Sequence, residues 1–241
     1  MDNITRRSFV SQAAVGVTSL GLLGAAAQSA QAQEAQLVWK SSDWKLSEFQ
    51  ALLKDPAHIK QVFDSTQIVE GRFLNNIKNS LNGLHFGFDI PVRQIKIVAA
   101  LHGPANMLNY DDYIWNKYQI GEWLNVTDPT TGKPATRNVF YNSTKTFGKD
   151  AVSQDPSYPD SMYQDTSVQT LQSRGVQFLS CHTATEEQAR VLVKRNKLSV
   201  SSEEVVKDML AHVQPGVLVV TAMVSAIALL QIEGHYSYVS V

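Results

Sequence analysis

The one residue able to act as a sulfur nucleophile is Cys181, the only cysteine among 241 residues. It stands in the run Gly175-Val176-Gln177-Phe178-Leu179-Ser180-Cys181-His182-Thr183-Ala184-Thr185-Glu186-Glu187. A single thiol forms no intrachain disulfide. It is either buried and inert, as free cysteines often are, or kept for chemistry. The chemistry open to it is that of a thiolate, which depends on donors that hold the charge. His182 follows directly. A second polar group, His102, stands in His102-Gly103-Pro104-Ala105-Asn106, and Asn106 is a further supporting candidate. Either histidine would shift a proton for the thiol. Each also has a plain structural role: His102 bonded to a loop carbonyl, His182 lying on the surface. His102, Cys181 and His182 lack a recognised metal-ligand spacing, so no metal site is expected, and no cofactor.

These groups need strands and helix starts to position them. Val176, Phe178 and Leu179 suit a short buried strand. Thr183 with Glu186 is a capping-box pattern, and Thr185 with Gln188 is a second, shifted one. Cys181 is therefore expected where a strand ends and a helix begins. Unpaired amides and the helix dipole favour an anion there. Residues 94–101 form the second strong strand, with Ile95, Ile97, Val98 and Leu101. It runs into Gly103, which allows close backbone approach, and Pro104, which fits the first position of a helix. In an open α/β sheet the carboxyl ends of the strands form the ligand crevice, so His102 and Cys181 are expected to face one another.

The rest of the chain supplies the frame. Residues 44–54 have near-helical spacing and stop at Asp55-Pro56; residues 59–68 read as a strand. Phe73, Leu74, Ile77, Leu81 and Leu84 mark a helix ending near Asn82-Gly83. His85 lies just past that end, where a cation suits the dipole. Residues 109–123 are aromatic and read as an amphipathic helix packing on the core or at an interface. Residues 125–160 are rich in turn formers, as in a lid, binding loop or arm. A helix over 161–174 precedes the cysteine strand. Ser201 with Glu204 opens another helix, residues 217–220 form a buried strand, residues 223–232 a very apolar helix, and residues 236–241 a last strand near an edge. This alternation implies a three-layer α/β/α sandwich with a mostly parallel central sheet of about five strands.

The first residues read as an address. Thr5-Arg6-Arg7-Ser8-Phe9-Val10 is a twin-arginine pattern, residues 13–27 are mildly apolar, and Ala30-Gln31-Ala32 is a small-x-small cleavage site. Together they indicate a Tat signal peptide over residues 1–32, cut after Ala32, rather than a retained membrane anchor. The expected location is periplasmic. Residues 33–58 then form an N-terminal extension with a short helix, and residues 59–241 a single domain. Cleavage removes Arg6, Arg7 and Asp2 from 21 basic and 22 acidic residues, leaving a net charge of −2. With no basic excess, nucleic acid is not an expected partner. The apolar stretch 217–232 is too short to span a bilayer, so no membrane span is expected in the mature chain.

The run Gly175 to Cys181 before a helix, then Pro215-Gly216-Val217-Leu218-Val219-Val220, then Leu230-Gln231-Ile232-Glu233-Gly234-His235-Tyr236-Ser237-Tyr238, resembles the DsrE/DsrF-like superfamily in order and type. The segment from Ile95 to Pro104 is similar too. The likeness covers residues 59–241, with a gap at the inserted loop, about 125–160. It implies a sandwich that assembles into homo- or hetero-oligomers. It also implies a cysteine at the position of Cys181 that accepts and passes sulfane sulfur as a persulfide, with a sulfur-donor or acceptor protein as partner. Having no second cysteine suits such a carrier, because nothing resolves the persulfide. The other reading is a non-catalytic small-molecule-binding or oligomeric assembly module of the cell envelope, with the cysteine buried.

Overall fold

Five short runs of branched and aliphatic residues make the sheet. In the computed structural model, which describes residues 38–143 and 155–241, they are β1 (Ile59–Ser65), β2 (Ile95–Leu101), β3 (Gln177–Cys181), β4 (Leu218–Val220) and β5 (Ser237–Ser240). The signal peptide expected over 1–32, and the middle of the expected loop, lie outside the described residues. All pairings are parallel, in the order β4-β3-β2-β1-β5. β5 is an edge strand, as expected.

The connecting helices are α1 (Leu46–Leu53), α2 (Arg72–Asn82), α3 (Asp112–Lys117), α4 (Ile120–Trp123), α5 (Val168–Ser173), α6 (His182–Arg195), α7 (Ser202–Ala211) and α8 (Met223–Ile232). Side chains alternate across each strand, so the two sheet faces collect different partners. One face carries Phe63, Ile97, Ala99, Leu101 and Phe178 and is covered by apolar residues of α2 to α7. The other carries Val62, Val98, Ala100, Leu179, Cys181, Leu218 and Val220, and is covered by Phe49 and Leu52 of α1 and Met223, Ala226, Ile227 and Leu230 of α8. These are the three layers. Each fully buried Leu, Ile, Phe or Met contributes about 1.5–3 kcal/mol. Among the described residues no helix is long and apolar enough to cross a membrane.

Several elements differ from the sequence reading. The aromatic helix breaks into α3 and α4 at Gln119, which takes a left-handed backbone (φ 53°). The helix before β3 starts at Val168, not at Ser161, because the Ser167 side chain accepts from the Thr170 amide and so caps it there. The α2 helix continues as one π-helical turn over Gly83–Gly87, which carries His85. His85 Nδ1 lies 2.9 Å from the Ile90 carbonyl.

The described part of the expected loop is built into the fold. Asn138 Nδ2 donates to the carbonyls of Leu108 and Tyr110, both at 2.9 Å, and Arg137 forks onto Asp128 at 2.8 and 3.2 Å. The Arg137 guanidinium holds the Asp128 carboxyl below its ordinary pKa. Gly121 makes this docking possible: a Cβ there would sit 2.2 Å from the Ala135 carbonyl oxygen.

Candidate functional site

The strand order fixes where the connections change face. The helices after β1, β2 and β3 pack on one side, whereas α8, after β4, packs on the other. β3 and β4 are neighbours, with Cys181 paired to Val220. The crevice between their carboxyl ends is thus the switch point, the usual ligand position in open α/β sheets. Cys181 is the last residue of β3.

Two helix starts converge on its sulfur. Cys181 itself is the N-cap of α6, and its Sγ accepts the Ala184 amide at 3.4 Å. The expected Thr183 and Thr185 caps are displaced because the helix begins directly after the strand. The Met223 amide, the first of α8, also donates to Sγ, at 3.3 Å. The Thr183 amide and hydroxyl both bond the Thr221 carbonyl, tying the two helix starts together. Against these donors stands burial: Cys181 is 5% exposed. Burial is the larger influence and pushes the thiol pKa up, while the amides of Ala184, Met223 and Thr183 pull it down. The resting group is a thiol with a thiolate-ready set of donors.

Asn106 lies on the opposite side of the Cys181 backbone and is fully buried. Its Oδ1 accepts the Cys181 amide at 3.0 Å and the Ser180 hydroxyl at 2.9 Å. Its Nδ2 donates to Gln188 Oε1 at 3.1 Å and Thr185 Oγ1 at 3.2 Å. Tyr110, Thr185 and the Cys181 carbonyl extend the network, and Gln188 reaches the Gly103 carbonyl. Asn106 therefore fixes the backbone of the cysteine rather than its sulfur.

His102 continues the β2 register. Leu101 pairs with Ser180, and His102 is extended (φ −146°, ψ −178°), so it stands level with Cys181 on the neighbouring strand and on the same face. Its Nε2 lies 2.8 Å from Asp64 Oδ1, and the Tyr238 hydroxyl donates to Asp64 Oδ2 at 2.7 Å. Burial of Asp64 is outweighed by these partners, so its pKa is lowered. The turn after His102 needs Gly103, whose φ is +53° and whose Cβ position lies 3.0 Å from the Thr66 carbonyl.

His182 is not on the surface. It is buried, its ring stacks on Trp39 with centroids 3.7 Å apart, and Nδ1 is 3.8 Å from Glu186. Burial pulls its pKa down to about 4, so it is neutral at ordinary pH. The structure thus gathers Cys181, Asn106 and His102 at one end of the sheet and gives His182 to a covering contact. Among the described residues no cluster of three His, Cys, Asp or Glu side chains is placed to hold a metal. The sequence reading missed Asp64, Tyr238 and Trp39. Asp64 carried a signal, a lone acid inside a strand pattern.

Fold and site together define a parallel α/β sandwich with an amide-capped thiol at its switch point. No family model, no curated protein and no solved structure matches the chain.

Proposed function

We propose that the chain is an exported DsrE/DsrF-like protein that carries sulfane sulfur as a persulfide on Cys181. The observation that carries this reading is the convergence of the Ala184 and Met223 amides on one sulfur at the switch point. Such donors stabilise a sulfur anion before and after transfer. With thiosulfate as donor, the Cys181 thiolate attacks the outer sulfur. The Cys181 S–S bond forms, the thiosulfate S–S bond breaks, and sulfite leaves with the bonding pair. Charge and redox balance close without another reactant. Burial holds the proton on the thiol, so a base is required. We assign that role to His102, level with Cys181 on the neighbouring strand, in the tautomer whose Nε2 donates to Asp64.

Export places the protein in the periplasm, where a sulfur donor or acceptor protein would meet it. The outward face of α8 suits a second copy: Val224, Ala228, Leu229 and Ile232 are exposed, and the helix carries no charge.

Folded protein incubated with thiosulfate should gain the mass of one sulfur atom on Cys181. The gain should vanish in Cys181→Ser and slow in His102→Gln. The second reading, a non-catalytic assembly module, is favoured by the near-complete burial of the thiol. A folded chain that neither gains sulfur nor reacts with iodoacetamide would establish that reading instead.

A further inference from the structure

The amino end of β2 and the C-terminus of α5, at the opposite end of the sheet from Cys181, border a cavity of about 190 Å³. Leu81, Val92, Ile95 and Met162 give it an apolar lining, Tyr163 adds a ring, and Arg174 enters from the C-terminus of α5. Arg174 Nη2 donates to Asn82 Oδ1 at 2.7 Å, and its guanidinium sits 5.3 Å from the Tyr163 ring centroid. Asn82 is itself held by the Tyr163 carbonyl at 2.7 Å. Arg174 Nη1 is buried and has no hydrogen-bond partner. No carboxylate among the described residues pairs with this guanidinium. A buried N–H of a permanently charged group left without an acceptor is rare in a folded chain, and the same guanidinium-bearing side chain lines the cavity.

We propose that this cavity binds a small monocarboxylate with a compact apolar body, aryl or short alkyl, whose carboxylate is taken by the Arg174 guanidinium and whose body lies against Leu81, Val92 and Ile95. Size agrees: an apolar cavity of about 150 Å³ accepts benzene. The present one, at about 190 Å³, has room for one ring and its carboxylate. Charge agrees too. One guanidinium, one imidazole (His85, whose Nδ1 is engaged by the Ile90 carbonyl) and no lysine line the space, which matches a single negative charge better than a phosphate dianion. Asn82 and the Tyr163 ring hold the guanidinium in place, so little ordering is needed on binding. The wall beside it includes the π-helical turn Gly83–Gly87, a local geometry frequent at functional sites. Val92, 52% exposed, marks the mouth.

The test is calorimetric titration of the full chain with benzoate, benzyl alcohol and inorganic phosphate. Benzoate should bind saturably at one site. Benzyl alcohol, equal in shape and neutral, should bind at least about tenfold more weakly. Phosphate should not compete. Arg174→Gln should weaken benzoate by at least about tenfold. Val92→Trp, at an exposed position that tolerates change, should block both aromatic ligands; it keeps the test decisive if Arg174→Gln does not fold. No saturable benzoate binding, equal affinity for benzoate and benzyl alcohol, competition by phosphate, or benzoate binding untouched in Val92→Trp would each overturn the proposal. Cys181 is altered in none of these variants, so the outcome is independent of sulfur transfer.

Discussion

The two ends of the sheet treat their ionisable groups differently, although among the described residues each end has one buried polar atom without a partner, Asn109 Oδ1 at the carboxyl end and Arg174 Nη1 at the amino end. At the carboxyl end the sulfur of Cys181 receives two amides, Asn106 is bonded at both its oxygen and its nitrogen, and His102 is held by Asp64, to which Tyr238 also donates. Trp39 lies over His182. At the amino end Arg174 keeps one nitrogen unpaired beside empty volume. A parallel sheet makes this division natural. Helix N-termini gather at the carboxyl ends of strands and favour anions, while helix C-termini gather at the other end and favour cations. The difference separates a thiol whose sulfur the fold has supplied with donors from a guanidinium that keeps one nitrogen unpaired.

The sharpest way to break the comparison is Asn106→Leu. The new side chain has similar volume but takes the Asn106 partner from Ser180 Oγ, the Cys181 amide and Gln188 Oε1, while Thr185 keeps Tyr110 and the Cys181 carbonyl. A loss of about 3–5 kcal/mol in urea unfolding is expected. A loss below about 1 kcal/mol would mean that the carboxyl end is not the tightly satisfied network described.

Acid should act next most strongly, through His182. Its pKa falls from the ordinary 6.5 to about 4 because burial disfavours the charged ring. The unfolded chain then binds the proton first. Stability from the neutral ring is whole above pH 6.5, declines as pH drops toward 4, and is spent below that. The full difference is about 3 kcal/mol. His182→Phe keeps a ring against Trp39 and cannot titrate. The stability gap between wild type and this variant should therefore shift between pH 7 and 4, while a constant gap would show that the ring is wet.

A smaller effect concerns access. Trp39→Ala uncovers the first residue of α6, next in sequence to Cys181. Iodoacetamide labelling of the folded protein should accelerate about tenfold, equal to about 1.4 kcal/mol in opening. Its pH midpoint should stay above the ordinary thiol range while burial persists. Unchanged labelling would place the barrier in the α1 and α8 layer instead.

The layers, the parallel order and the place of Cys181 at a strand end were legible because hydrophobic periodicity and caps are local signals. Ser201 and Glu204 form the capping box their spacing suggested, with both bonds present. Partners across strands were not legible. Asp64 meets His102 over 38 positions, and Asn106 meets Cys181 over 75. Nothing local encodes such pairings; they follow from strand order and register. How the long loop docks was hidden for a related reason. Its turn residues are real, but Asn138 uses its side chain to dock the segment on Leu108 and Tyr110. His182 looked superficial because Trp39, which covers it, lies 143 positions earlier in the chain.

The mildest change makes the other half of the comparison. Arg174→Met swaps a polar side chain for an apolar one, the same kind of exchange as Asn106→Leu. It removes a buried guanidinium and its unpaired N–H, and it fills part of an apolar wall. It also leaves Asn82 Oδ1 without its donor and ends the contact with the Tyr163 ring. These effects oppose one another, so stability should move by less than about 1 kcal/mol in either direction. A loss of about 3 kcal/mol would instead place Arg174 among the structural supports of the amino end, with its geometry serving the fold. A near-neutral result, beside a large loss in Asn106→Leu, means that the cation is not retained for stability. A charged group kept in an apolar wall without a folding benefit is kept for what it contacts.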